Sequence, residues 1–127
     1  MDAQDMGNAL ERILVTEDEL ARRMAELAAE IDADYQGKEI LLVGVLKGAV
    51  MVVADLSRHL HTPLSMDWMA VSSYGAGTKS TGVVRILKDL DADVTGRDVL
   101  IVEDIIDSGL TLSWLRENLL SRGAASV

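Results

Sequence analysis

Three carboxylates within five residues, Glu103, Asp104 and Asp107, run directly into Ser108-Gly109-Leu110-Thr111. No other stretch of the chain is so well equipped for chemistry. Carboxylates accept hydrogen bonds from a diol, since each oxygen offers two lone-pair sites. A small-residue turn that opens a helix presents backbone N–H groups and the positive end of the helix dipole to a phosphate. Together they suit a sugar phosphate. Taken singly, each residue has a plainer reading. Asp107 alone is an acid favoured by a helix start, Ser108 or Thr111 alone is a helix cap, and Glu103-Asp104 alone is a solvated strand end. The ordered set behind an apolar strand is more than any of these.

The elements that must position this set can be read from patterning. Val99 to Val102 is a four-residue aliphatic run, within a strand expected over Asp98 to Glu103, and Thr111 to Arg122 has the spacing of a helix. Glu39 to Leu46 is a near-continuous apolar run of strand length, which indicates a strand covered on both faces, as in a parallel sheet. Lys47-Gly48 breaks that run, and Ala49 to Leu60 follows as an aliphatic-rich helix. Upstream, Thr16-Glu17-Asp18-Glu19 forms a capping box. The helix behind it would place Leu20, Met24, Leu27, Ala28 and Ile31 on one face and end near Gly37. Leu64 to Ser73 and Val83 to Lys88 read as two further strands, separated by the glycine-rich loop Tyr74 to Gly82. Ala124 to Val127 looks like the first residues of another strand. Alternating strands and helices predict an α/β fold, a mostly parallel sheet flanked by helices. Residues 1–12 read as a loose leader and residues 13–127 as one domain.

Composition narrows the class. The chain has 127 residues, 49% of them hydrophobic, which excludes a disordered chain and allows one real core. Phe is absent and aromatics are 3%, so that core must be aliphatic. There is no cysteine, hence no disulfide and no thiolate nucleophile or metal ligand. A formal net charge of −9 argues against nonspecific nucleic-acid binding, which rests on phosphate neutralisation. No apolar run approaches the ~20 residues that span a bilayer, and the acidic N-terminus is unlike a signal peptide. A cytoplasmic protein with no membrane partner is expected.

Glu-Asp-Ile-Ile-Asp-Ser-Gly-Leu-Thr, residues 103–111, resembles the phosphoribosyl pyrophosphate signature of the purine phosphoribosyltransferases, and most of all that of the bacterial hypoxanthine- and guanine-specific branch. The resemblance runs from roughly Ile13 to the end of the chain. It implies a type I phosphoribosyltransferase fold, Rossmann-like and here C-terminally truncated. It also implies that hypoxanthine or guanine is joined to phosphoribosyl pyrophosphate, with Mg²⁺, giving the 5′-nucleotide and pyrophosphate. Glu103 and Asp104 would then bind the ribose hydroxyls and touch Mg²⁺ indirectly. Asp107 would handle the proton at N7 of the purine. Ser108, Gly109, Leu110 and Thr111 would cradle the 5′-phosphate, with the Leu110 side chain contributing nothing. Lys47 and Gly48 resemble the family's pyrophosphate loop, for which a cis peptide between Leu46 and Lys47 is expected. Ser73 and Tyr74 resemble its lid, which closes over the substrates and excludes water. The resemblance also implies a homo-oligomer, and base-reading residues beyond Val127.

Three other readings compete. One is a non-catalytic sensor of phosphoribosyl pyrophosphate or a nucleotide on the same fold. Another is an inactive fragment with an exposed apolar sheet edge. A phosphate-accepting signalling domain would also place an acid at a strand end, but it does not explain Ser-Gly-x-Thr. His59 and His61 read as solvated residues near a helix end, without partners at metal spacing. Trp114, Leu115, Leu119 and Leu120 read as core, and Trp68 as structural or interfacial.

Overall fold

The computed structural model describes residues 3–73 and 84–127. Its centre is strand β1, Ile40–Val45, whose six residues are all buried. The reason is the alternation of side chains across a strand. Ile40 and Leu42 pack on one side with Ala28, Ile31, Ala49, Val53 and Leu56. Leu41, Val43 and Val45 pack on the other with Met69, Val94, Val99, Leu115 and Leu119. An apolar run with no polar alternation is therefore what a strand sandwiched between two helical layers requires.

Helices α1 (Glu17–Asp34) and α2 (Ala49–His59) supply the first layer, and α3 (Leu110–Ser121) the second. Strands β2 (Leu64–Ser73), β3 (Val84–Lys88) and β4 (Asp98–Val102) complete a four-stranded sheet in the order β3-β2-β1-β4. β1 runs parallel to both β2 and β4, while β3 lies antiparallel against β2 at the edge. The expected α/β architecture with a mostly parallel sheet is thus observed. Ser126 forms an isolated parallel bridge to Asp98, so the last residues begin to add to the β4 edge as their pattern suggests.

The α1 start is the capping box read from sequence. Thr16 Oγ1 accepts from the Glu19 N–H at 3.2 Å, and the Glu19 carboxylate accepts from the Thr16 N–H at 2.8 Å. Two expectations for this helix need correction. Leu20 is 55% exposed, because α1 meets the sheet layer only from Met24 onwards. The helix also ends at Asp34, and a turn at positive φ on Gly37 leads into β1. Residues Ala3–Ala9 form short 3₁₀ turns, exposed from Gln4 onwards.

Two buried or half-buried acids tie the sheet to its connections. Asp67, in the middle of β2, is 6% exposed. It accepts hydrogen bonds from the backbone N–H groups of Trp68 (2.7 Å), Asp91 (2.9 Å) and Ala92 (2.8 Å), with the Lys88 ammonium 4.0 Å away. Desolvation pushes its carboxyl up, but these three N–H groups and Lys88 outweigh it and hold the carboxyl below its ordinary range. At the opposite end of the sheet from the acidic turn, Asp32 accepts from Thr62 Oγ1 and from the N–H groups of Thr62 and His61. His61 Nδ1 also lies 3.1 Å from Asp32. His61 therefore has a carboxylate partner that its neighbours in sequence do not reveal.

Candidate active site

β1 and β4 are adjacent and parallel, with Gly44 opposite Val102. Their C-terminal ends therefore place Leu46-Lys47-Gly48 beside Glu103-Asp104. Each strand then feeds a helix that starts at this rim: α2 follows Gly48, and α3 follows Gly109. Two helix N-termini converging on one sheet edge favour negative charge, since their first N–H groups have no partner within the helix. In neither helix does a side chain cap the start. Open sheets of this kind bind ligands beyond the carboxyl ends of their strands.

A cleft of about 340 Å³ opens here. Its polar wall is Glu103, Asp107, Ser108, Gly109 and Thr111. Its apolar wall is Val45, Leu46, Val71, Ile105, Ile106 and Leu112. Gly109 has φ 79°, a left-handed backbone that side chains disfavour, and this sharp turn swings Ser108 round to the start of α3. The Leu110 N–H lies 3.5 Å from Ser108 Oγ, so the hydroxyl only grazes it. Burial first, and then the neighbouring Asp104 carboxylate, push the Glu103 carboxyl above its ordinary value.

The structure brings five of the eleven site residues singled out in sequence into one cleft. Glu103, Asp107, Ser108, Gly109 and Thr111 share the cleft. Leu110 is exposed and does not line it. Lys47 and Gly48 lie outside the cleft, but Gly48 abuts the Asp104 carboxylate, which links the two strand-end loops. The Leu46–Lys47 peptide is cis. Ser73 closes β2, and Tyr74 lies outside the described residues.

Sequence reasoning missed the apolar wall. Ile105 and Ile106 are 76% and 64% exposed between acids, in a turn where solvated residues would be expected. That mismatch was the available signal, because exposed aliphatics in a polar loop often face a ligand. Among the described residues, no cluster of three or more His, Asp or Glu could cage a metal alone. The adjacent pair Glu103 and Asp104 does suit a cation such as Mg²⁺, which commonly takes one or two carboxylates and draws its other oxygens from water and phosphates.

Comparisons with known proteins agree with this geometry. Residues 13–127 match the phosphoribosyl transferase domain family. The hypoxanthine-guanine phosphoribosyltransferase of Mycobacterium tuberculosis is 53% identical over 124 residues, covering 93% of this chain and 61% of that protein. The Bacillus subtilis enzyme of the same name is 52% identical over 122 residues, covering 96% of this chain and 68% of its own length. The crystal structure of a hypoxanthine phosphoribosyltransferase from Staphylococcus aureus superposes with a TM-score of 0.90 at 46% identity, over 96% of this chain and 66% of that one. The chain spans about three fifths of the length of the mycobacterial relatives. A parallel sheet ending in paired acids beside a glycine-led helix, matched over 13–127, establishes that this chain belongs to the phosphoribosyl transferase domain family.

Proposed function

We propose that this chain carries the site of a purine salvage transferase, which joins hypoxanthine or guanine to phosphoribosyl pyrophosphate and yields IMP or GMP plus pyrophosphate. The observation that carries the proposal is the cleft shared by Glu103, Asp107, Ser108, Gly109 and Thr111 at the start of α3. The turn and the uncapped N–H groups behind it hold the 5′-phosphate. Glu103 and Asp104 accept from the ribose 2′- and 3′-hydroxyls. Bound Mg²⁺ would neutralise pyrophosphate charge, with Glu103 and Asp104 nearby as direct or water-mediated acceptors.

As the C1′–pyrophosphate bond breaks and the purine nitrogen bonds to C1′, the imidazole ring of the base gains positive charge. Asp107, exposed at the cleft, receives the N7 proton at that moment. Lys47 and the N–H groups around Gly48 receive the leaving pyrophosphate at the start of α2. Ser73 and Tyr74 belong to the lid that keeps water from the sugar cation. Catalysis is then mainly positioning and charge stabilisation. We further assign the protein to the cytoplasm as a homo-oligomer. Among the described residues, no helix is long and apolar enough to cross a membrane.

The test is nucleotide formation from phosphoribosyl pyrophosphate and Mg²⁺, with hypoxanthine, guanine, xanthine and adenine supplied separately. IMP or GMP as product supports the transferase. Binding of phosphoribosyl pyrophosphate without turnover of any base refutes it for this chain and marks an incomplete enzyme or a sensor on the same fold.

A further inference from the structure

We propose that Gly48 is a positioning residue that acts through Asp104: its missing side chain leaves the space in which the Asp104 carboxylate rests. The loop after β1 thereby decides where one acid of the β4 pair points. The proposal rests on the reading of Glu103 and Asp104 given above.

Two glycines flank the site, and they are there for opposite reasons. Gly109 has left-handed φ, and a side chain on it would meet open space. Gly48 has φ −61° and ψ −38°, a right-handed backbone that every L-residue adopts. Nothing in its conformation calls for glycine. A Cβ at Gly48, however, would overlap Cγ and both oxygens of Asp104, the most distant of the three at only 2.7 Å. Non-bonded carbon and oxygen do not approach so closely. The residue is glycine because a carboxylate occupies the place of its side chain.

What gives way on substitution follows from exposure. Asp104 is exposed and short, so rotation about its Cα–Cβ bond can carry the carboxylate into solvent. Gly48 directly precedes α2, which is held by buried apolar contacts at Ala49, Val53 and Leu56, whereas Asp104 lies two residues beyond β4 at the start of an exposed turn. A methyl group at Gly48 therefore displaces the acid rather than the fold. Asp104 also contributes to the raised carboxyl of Glu103, so its departure changes both members of the pair.

The experiment is a double-mutant cycle on the full chain with Gly48→Ala, Asp104→Ala and the pair together. Binding of phosphoribosyl pyrophosphate with Mg²⁺ is read by calorimetry, alongside thermal unfolding and a crystal structure of Gly48→Ala. Gly48→Ala should melt within about 3 °C of the parent, bind at least tenfold more weakly, and show the Asp104 carboxylate swung away from residue 48. In the Asp104→Ala background, Gly48→Ala should cause no further loss. An additional tenfold loss there would show that the added Cβ obstructs the ligand itself rather than Asp104, and would overturn the proposal. So would an unmoved Asp104 in the crystal. If Gly48→Ala does not fold, recovery in the double variant supports the steric conflict, and failure of both overturns it. Parent protein that binds no phosphoribosyl pyrophosphate refutes the functional reading instead, and the crystal structure still decides the placement of Asp104.

Discussion

Removing the Asp67 carboxylate should be among the most damaging single changes to this fold. Three backbone N–H groups donate to it at 2.7–2.9 Å, and the residue is almost wholly buried. Asp67→Ala leaves those donors without an acceptor. At about 1–1.5 kcal/mol each, the loss comes to ~4 kcal/mol, a large share of the 5–15 kcal/mol that holds a domain together. For a chain of this length that is a fall in Tm of about 15 °C. Asp67→Asn keeps the shape and one acceptor but sets an amide against a donor, so about half of that loss is expected. Urea unfolding followed by circular dichroism measures both variants. The pH dependence supplies a second check. The folded carboxyl lies below its ordinary value, so its contribution is fully present above the unfolded pKa of about 4 and is lost as pH falls through the folded value. The gap between parent and Asp67→Asn should be flat from pH 7 to 5 and close below pH 4. A loss under about 1 kcal/mol for Asp67→Ala would refute the reasoning, because it would mean that water or local movement satisfies all three donors.

Three further outcomes are expected. Asp107→Asn should lower kcat by about 10²–10⁴ while the affinity for phosphoribosyl pyrophosphate stays within a few-fold; steady-state kinetics with equal losses in both would rule out proton transfer. Gly44→Ala should cost about 1–3 kcal/mol in denaturant unfolding, because its Cβ would lie 2.6 Å from Trp68 Cε3 and 3.0 Å from Val53 Cγ2. Asp104→Asn should lower the Glu103 carboxyl part of the way back to its ordinary value, leaving the elevation due to burial; carbon-detected NMR titration reads both, and no change would mean that burial acts alone.

How far the sequence disclosed this molecule depended on the distance over which each interaction acts. The β1 run, the α1 capping box and the acidic turn are local patterns, and each appears in the structure within a residue or two of its expected place. Leu20 broke the pattern because periodicity marks the apolar face of a helix without showing where the sheet layer begins to cover it. The Asp32–His61 and Asp67–Ala92 contacts join residues 29 and 25 positions apart, and no spacing rule connects them. Asp67 is an acid inside an otherwise mostly apolar strand, and its role in holding the connection between β3 and β4 is visible only in the fold. The acids and the turn were legible as a set because they are contiguous along the chain. The apolar wall was not, because Val45, Val71 and Leu112 come from three separate elements that only the fold assembles.

The site's economy lies in what adjacent residues at a strand end can reach. Glu103 lines the cleft that opens at the start of α3, whereas Asp104 lies against Gly48 at the start of α2. Two acids next to each other in sequence thus lie near two different helix starts, while remaining close enough that Asp104 raises the Glu103 carboxyl. That proximity would be costly in an empty protein interior, where like charges repel with little screening. At this rim solvent reaches Asp104, and two helix dipoles present their positive ends. A cation bound at this rim would offset the like charge of the pair. The parallel pairing of β1 with β4 makes this possible. An antiparallel neighbour would carry the loop of one strand to the far edge of the sheet from the acids of the other, and the two helix starts could not share a ligand.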